Sequence, residues 1–403
     1  MNRDASTSWA RYRESTDYLA QGSSTSSKVP TIEGIEPAQI VRGRGCRVWD
    51  ADGNEYIDFR NALGPITLGY GVPEVNAAIA GQLDNGIIFG HPHPLEGEVA
   101  RLLVECIPCA ERVRFLKTGG EAVAACIKIA RNATGRNRIL QCGYNGWINT
   151  LSLGGFQPVG IAASQPHNGI PPAVSALHES LPWADIEAWK AAFAEHGDDI
   201  AAAVVACNYA EMEKGREFLP ALRQLTQEHG ALLIMDEIVT GFRLAMGGAQ
   251  EYFEFVPDMA VFGKGMANGM PIGAYVGRAD LIESARSIGI STTFGGETLS
   301  LAACKAVIGF YRENGVIAHL WATGTRLWEE VNGRFERAGC SLRLRGLAVC
   351  PNLQGEGDAV ARFMKACYGN GVSFYHVPYV NYSHGEEDVE ETLTRIDRAI
   401  SAM

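Results

Sequence analysis

The sequence lacks the features that would place it among membrane or nucleic-acid-binding proteins. Its 403 residues contain no run of about eighteen apolar residues, so we do not expect a segment that crosses a bilayer. Lysine and arginine are not clustered and the formal net charge is -11, which argues against nucleic acid as the main partner. A small molecule is therefore the expected partner.

Cysteine is too sparse and too irregular for a disulfide scaffold. Ten cysteines are scattered from Cys46 to Cys367. Cys106 and Cys109 form the one pair at redox or zinc spacing, but no second pair lies nearby, so buried packing is the better interpretation and we predict no metal site. Residues 1–13 carry charge and no apolar core, unlike a secretory signal peptide. We therefore expect reduced thiols in a cytoplasmic protein.

The pattern along the chain is that of a large enzyme in two parts. A chain of this length exceeds what one hydrophobic core usually supports. From about Gly71 onward, helical stretches alternate with short apolar runs, as in Ala201–Cys207, Phe218–His229 and Ala231–Met235. This alternation predicts parallel strands joined by crossover helices. Residues 47–59 predict a hairpin around the Asp-Gly turn at residues 52–53.

We therefore predict an α/β fold, in which a large domain with a mostly parallel central sheet flanked by helices is joined to a smaller α+β domain from both termini. The predicted parts are residues 1–65 (amino-terminal segment and hairpin of the small domain), 66–298 (large domain) and 299–403 (remainder of the small domain). The last part begins with the helical patterns Leu299–Arg312 and Val316–Ala338. Leu342–Cys350 could be a strand, and a final helix is predicted from Glu386 to Met403.

Two charged residues follow apolar runs that have the character of buried strands. Ala231–Met235 leads into Asp236, and Met259–Phe262 leads into Gly263, Lys264 and Gly265. Parallel sheets bind ligands at the carboxyl ends of their strands. A lysine there, flanked by glycines that let the backbone turn sharply, could act as a Schiff-base nucleophile. A surface lysine in a glycine-rich turn and a capping aspartate are the alternatives.

A third element joins a strand to a helix through the short turn Thr118, Gly119 and Gly120. Backbone N–H groups at the start of the following helix would cradle a phosphate, and the helix dipole would favour its charge. A simple glycine-relaxed connection is the alternative.

Together, these segments resemble the class III aminotransferases of the fold type I pyridoxal-phosphate (PLP) enzymes, and within them the glutamate-1-semialdehyde aminomutase branch. The resemblance extends from about Val48 to the carboxyl terminus, and its most specific stretches are residues 230–243, 247–250, 257–258 and 263–264. It implies PLP as the cofactor and a homodimer with shared active sites.

The resemblance assigns the chemistry to two residues. Asp236 would pair with the protonated pyridine nitrogen, which keeps the ring an electron sink. Lys264 would hold PLP as a Schiff base and then move protons as general base and acid. The resemblance also implies a phosphate loop formed by Thr118, Gly119 and Gly120. Tyr144 and Ile238 would lie against the two faces of the ring, and Thr293 would reach the phosphate of the neighbouring subunit.

The sequence departs from the family at positions that bear on the substrate. Cys207 and Asn208 stand where the family has a glutamate-proline pair, so a carboxylate near the ring is missing or is supplied by Glu211 or Glu213. Asn145 replaces a histidine, and Lys28 aligns with an arginine for the substrate carboxylate. Lysine cannot make the bidentate contact of arginine. Residues 377–385 also lack an expected glutamate. We take Lys28, Asn145 and Asn208 as candidate substrate contacts.

These departures favour amino transfer between an amino donor and a carbonyl acceptor, such as a keto acid or a sugar-like compound. An intramolecular aminomutase of the glutamate-1-semialdehyde type is the first alternative. A cofactor-binding homologue without catalysis is the second, and retention of both Lys264 and Asp236 speaks against it.

Overall fold

The computed structural model describes residues 3–148 and 170–403. Its strands are β1 Ile40–Arg44, β2 Arg47–Asp50, β3 Glu55–Asp58, β4 Arg112–Leu116, β5 Arg138–Cys142, β6 His178–Ser180, β7 Ile200–Val205, β8 Leu232–Asp236, β9 Met259–Phe262, β10 Gly273–Gly277, β11 Arg343–Arg345, β12 Asn352–Gln354 and β13 Val372–Ser373. Its helices are α1 Ser6–Ser15, α2 Pro73–Leu83, α3 Pro94–Cys106, α4 Gly119–Thr134, α5 Pro172–Ser175, α6 Ile186–His196, α7 Gly215–Glu228, α8 Ala249–Tyr252, α9 Ala279–Glu283, α10 Thr298–Asn314, α11 Val316–Arg337, α12 Ala359–Gly369 and α13 Glu386–Ser401.

The chain forms two compact units, one of residues 1–73 with 318–403 and one of residues 74–317. These limits differ from the boundaries at residues 65 and 298 that we drew from the sequence. Helix α10 accounts for the larger difference, since it packs against α3 and the turn after β9 and so belongs to the larger unit.

A seven-stranded sheet in the order β4-β10-β9-β8-β7-β5-β6 forms the centre of the larger unit. Strand β10 runs antiparallel to both neighbours, and the other strands share one direction. Strands β7 and β8 are buried at every position, as expected for strands covered on both faces. The predicted mostly parallel sheet is thus confirmed.

Helix α4 shows how the sequence covers this sheet. Its buried residues include Val123, Cys126, Ile127 and Ala130, which recur at helical spacing and form one apolar stripe. Burying this stripe against the sheet directs the amino end of α4 to the carboxyl edge of the neighbouring strands, where β4 also ends.

The smaller unit contains a sheet in the order β1-β2-β3-β13 and the short pair β11-β12. Strands β2 and β3 form the predicted hairpin, and Gly53 has a φ of 85° in its turn. The strand expected over residues 342–350 is formed only at β11, since residues 348 and 349 lie in a turn. In the described part of the chain, every helix is too short or too polar to cross a membrane.

Candidate active site

Asp236 and Lys264 lie at the carboxyl ends of neighbouring parallel strands. Asp236 is the last residue of β8 and pairs in register with Val261 of β9, and Lys264 follows two residues after β9 ends. Asp236 is buried and Lys264 partly buried, and their charges interact. The structure therefore brings together an acid and an amine that are 28 residues apart in the sequence.

Burial changes the proton affinity of both groups. It raises the pKa of Asp236 to about 7, against the opposing effects of the Ile238 backbone N–H, at 3.0 Å, and the charge of Lys264. Burial also lowers the pKa of Lys264 to about 8, helped by the charge of Arg243 and opposed by that of Asp236. An amine with a pKa near 8 has a substantial neutral, nucleophilic fraction at neutral pH.

The sharp turn at the lysine is made differently from the sequence-based expectation. Lys264 itself has a φ of 45°, a left-handed conformation that is costly for a residue with a Cβ, whereas Gly263 is extended. Glycine is favoured at position 263 because a Cβ there would be crowded, at 3.0 Å from Ile238 Cδ1 and 3.2 Å from the Ile272 carbonyl oxygen. Close packing therefore explains this glycine.

The predicted phosphate loop lies at the amino end of α4. Thr118 caps the helix: its Oγ1 accepts the Glu121 N–H at 3.3 Å and donates to Glu121 Oε2 at 3.0 Å. Gly119 and Gly120 are the first two helical residues, so their N–H groups belong to the end that attracts anions. The Thr118 hydroxyl already serves the helix cap, so the phosphate contacts that we predict at this loop would come mainly from backbone groups.

Both residues predicted to contact the ring lie near this site. The Ile238 side chain packs against Gly119 and Gly263 and so connects the phosphate loop with the lysine turn. Tyr144 is half exposed, and the charge of Asp236 adds to burial in raising the pKa of its phenol. An acid, an amine, a helix end and two flanking side chains therefore surround one region of the larger unit.

The predicted substrate contacts are more dispersed. Asn145 and Asn208 each follow the carboxyl end of a strand, β5 and β7, and these strands are neighbours. The buried Asn145 amide donates to the carbonyl oxygens of Cys142 and Gly143, and the exposed Asn208 accepts the Ala210 N–H at 3.0 Å. Lys28 is exposed in the smaller unit. All three remain predictions.

Thr293 lies in the exposed segment before α10. Its expected contact with a neighbouring subunit also remains a prediction. Cys106 and Cys109 are free thiols, and burial raises the pKa of Cys106 to about 11 and that of Cys109 further.

Sequence reasoning missed two charged residues of this region, Glu237 and Arg243. Both side chains are almost completely buried, at 0% and 1% exposure. Both lie within residues 230–243, which carried the family resemblance. The local sequence did not indicate their burial, because an acid and an arginine in a loop after a strand usually face solvent. Arg243 is a nearby cation that disfavours protonation of Lys264.

Comparison with known proteins supports this picture. The family model for class III aminotransferases matches residues 32–400. Curated relatives include two proteins named glutamate-1-semialdehyde 2,1-aminomutase: that of Persephonella marina is 32% identical, with 96% of each chain covered, and that of Aquifex aeolicus is also 32% identical, with 97% of this chain and 99% of the relative covered.

Solved structures agree with these relatives. The FumI protein of a Sphingopyxis species, solved with PLP, is 28% identical and has a TM-score of 0.87 over 98% of this chain and 96% of its own. A β-phenylalanine aminotransferase from Variovorax paradoxus is 25% identical and has a TM-score of 0.85 over 98% and 94%.

The residues present fit PLP, since the donor set offers a carboxylate for the ring nitrogen, an amine for the aldehyde and backbone N–H groups for the phosphate. The chain therefore belongs to the class III aminotransferases and is a PLP-dependent enzyme of fold type I.

Proposed function

We propose that the enzyme transfers an amino group from an amino donor to a carbonyl acceptor, with Lys264 as the residue that holds PLP covalently. The observation that carries this proposal is the placement of Asp236 and Lys264 at the ends of two neighbouring parallel strands, where their charges interact. Buried acids and amines with displaced pKa values are concentrated at catalytic sites.

Each group has a defined part in this chemistry. PLP supplies an electrophilic carbon and an electron-withdrawing ring. Asp236 would hold the proton on the ring nitrogen, and its burial strengthens that interaction by excluding water. Lys264 Nζ would attach the cofactor and, when displaced, take the proton from the substrate carbon and return it as general base and acid. Gly119 and Gly120 would hold the phosphate through their N–H groups, and Tyr144 and Ile238 would flank the ring.

A second candidate is an intramolecular aminomutase acting on glutamate 1-semialdehyde or a similar compound. The names of the curated relatives favour it, at 32% identity over nearly the whole chain. Three departures weaken it: Lys28 replaces an arginine of the aminomutase pattern, Asn145 replaces a histidine, and Cys207 and Asn208 replace a glutamate-proline pair. The loss of the bidentate arginine contact is the reason that we prefer an acceptor other than glutamate 1-semialdehyde.

The acceptor is proposed as a keto acid or a sugar-like carbonyl compound. Asn208 is exposed beside the end of β7 and could form hydrogen bonds with neutral hydroxyl groups. The segment with Ser23, Ser24, Thr25, Ser26 and Ser27 offers further hydroxyls.

A homodimer with shared active sites completes the proposal. Thr293, which would reach the phosphate of the other subunit, is followed by Phe294, which is 57% exposed. Ile87 and Phe89 of the larger unit are 42% and 48% exposed. The Thr298 hydroxyl donates to the Ile87 carbonyl oxygen at 2.9 Å and so joins the two segments. An exposed apolar group of this kind is typical of an interface.

A half-reaction tests the proposed activity. The PLP-loaded enzyme is mixed with single amino donors, without acceptor, while cofactor absorbance and released products are followed by spectroscopy and mass spectrometry. A transaminase releases one carbonyl product per site and retains the amino group on the cofactor. A mutase instead yields an isomer of the amine and no free carbonyl product. If no donor reacts although PLP is attached to Lys264, the chain is a catalytically silent homologue.

A further inference from the structure

Glu237 is adjacent to Asp236 in the chain, but its carboxylate has very different surroundings. Asp236 is 8% exposed, whereas Glu237 is completely buried. The oxygens of Glu237 accept the N–H groups of Ala249 at 2.7 Å and Gln250 at 3.0 Å, the Gln250 side-chain amide at 3.4 Å, and the hydroxyl of Thr240. Since four protein donors occupy both oxygens, Glu237 does not face the cofactor.

The turn over residues 247–250 is shaped around this carboxylate. Gly248 has a φ of 79°, and a Cβ at this position would lie 2.2 Å from Glu237 Oε2. Only glycine allows the backbone to approach the carboxylate so closely. Gln250 Oε1 also accepts the backbone N–H of Cys109 at 3.0 Å, three residues before β4 begins, and β4 leads to the phosphate loop.

The backbone of Glu237 connects the same region to the lysine strand. Its N–H donates to the carbonyl oxygen of Val261 at 2.9 Å, and Val261 lies three residues before Lys264. Its carbonyl oxygen accepts the N–H of Gly241 at 2.8 Å. Glu237 is therefore fixed on both its backbone and its side chain, between Asp236 on one side and Ile238 on the other.

We propose that Glu237 is a positioning residue, which anchors the 247–250 turn to the end of β8 and thereby fixes Asp236 and Ile238 toward PLP. Asp236 Oδ1 accepts the Ile238 N–H at 3.0 Å, so a displacement of residue 237 moves the acid and the flanking side chain together. The role rests on the proposed contacts of Asp236 and Ile238 with PLP, and not on which amine is the substrate. The charge of Glu237 also raises the pKa of Asp236.

The test compares PLP-loaded Glu237→Gln with Glu251→Gln. Glutamine at position 237 presents an amide N–H₂ to backbone N–H groups, so we expect PLP to dissociate at least about tenfold faster. The midpoint of the pH titration of bound PLP absorbance should shift to lower pH, because the negative charge of Glu237, which stabilises the protonated forms of nearby groups, is lost.

Glu251 is the matched control: it is exposed and accepts the Gly247 N–H of the same turn at 2.7 Å, and its replacement should leave both readouts unchanged.

A second variant separates the anchor from the charge. Glu237→Asp keeps the charge but is one methylene too short to reach the turn, so it should speed PLP release without the shift of the midpoint. If Glu237→Gln folds with a lower Tm but keeps PLP release and midpoint at wild-type values, Glu237 has only a structural role and the proposal is overturned. If that variant does not fold, Thr240→Val removes one donor and retains the charge, and unchanged PLP release in it also overturns the proposal. Both readouts need only PLP, so they remain measurable if no amino donor reacts.

Discussion

The Cδ1 atom of Ile238 lies directly over Gly119, so that a Cβ built on residue 119 would approach it to 2.6 Å. The same Cδ1 atom lies 3.0 Å from the Cβ position of Gly263. One side chain thus packs on the first residue of the phosphate-loop helix and on the residue before the lysine. The two glycines serve close packing, and the spacing between phosphate loop and lysine depends on that packing.

We therefore predict that Gly119→Ala weakens PLP binding by about tenfold or more, because the added methyl group forces Ile238 out of place. The dissociation constant for PLP, measured by titration of the apoenzyme, checks this. Gly120→Ala is the matched control, since its Cβ would meet Ile148 at an ordinary 3.4 Å and should have a much smaller effect. In an Ile238→Ala background the same Gly119→Ala change should cost less. Equal losses in both backgrounds would show that the two residues are not coupled.

The pH dependence of PLP attachment follows from the pKa of the Lys264 amine. Burial lowers the pKa of Lys264 to about 8, so about a quarter of the amine is neutral at pH 7.5, compared with about one part in a thousand at the ordinary pKa. The rate of covalent attachment to the apoenzyme should therefore rise with pH, with its midpoint at about pH 8. Asp236→Asn should move this midpoint to lower pH, because the carboxylate stabilises the protonated amine. A wild-type midpoint near 10.5 would contradict the prediction.

The central pair could be predicted from the sequence because it depends on local pattern and on one topological rule. Residues 231–235 and 259–262 are continuous apolar runs, and buried parallel strands deliver the residues that follow them to one edge of a sheet. Asp236 and Lys264 meet for that reason. The turn at Thr118, Gly119 and Gly120 was visible in the same way, since a short glycine-containing turn joins an apolar run to a helical pattern.

The rest could not be predicted, because it depends on contacts between distant segments. Strand β10, Gly273–Gly277, is buried at every position and its five residues give no period by which its antiparallel direction could be inferred. Glu237 obtains three of its four donors from residues 12 and 13 positions later in the chain, in a turn whose path depends on Gly248. The left-handed conformation of Lys264 likewise contradicts its local propensity.

The shared active site gives a complementation experiment. If Thr293 reaches the phosphate of the partner subunit, Thr293→Val damages the active site of the other subunit. Lys264→Ala instead abolishes the activity of the site in its own subunit. Each homodimer should then have low activity or none. Mixed dimers should recover activity, because the second site of each heterodimer retains both groups, and about a quarter of all sites in a random mixture would be intact. The reaction of the amino donor identified in the half-reaction provides the assay. Absence of recovery, with heterodimers demonstrated by mass spectrometry, would show that Thr293 acts within its own subunit or not at all.

His384 gives a prediction about the acid stability of the smaller unit. Its ring is completely buried and stacked on Phe59 at 4.5 Å, and its Nδ1 accepts the Asn381 N–H at 2.9 Å. Burial lowers its pKa from 6.5 to about 4, although the charge of Asp388 opposes this. The unfolded chain then binds more protons than the folded chain between pH 6.5 and 4, so stability is lost as pH falls through this range. His384 should contribute a loss of about 3 kcal/mol between pH 7 and pH 4.

The variant His384→Asn tests this, because its Oδ1 can still accept the Asn381 N–H while the titrating ring is removed. We expect it to be less stable than wild type at pH 7, through loss of the stack on Phe59, but to lose less stability on acidification. Urea unfolding at intervals from pH 7 to pH 4, followed by circular dichroism, gives the two slopes. Carboxylates and His319 titrate in both proteins, so the difference between the slopes isolates His384. Parallel slopes would mean that the buried imidazole is not the group responsible for acid sensitivity.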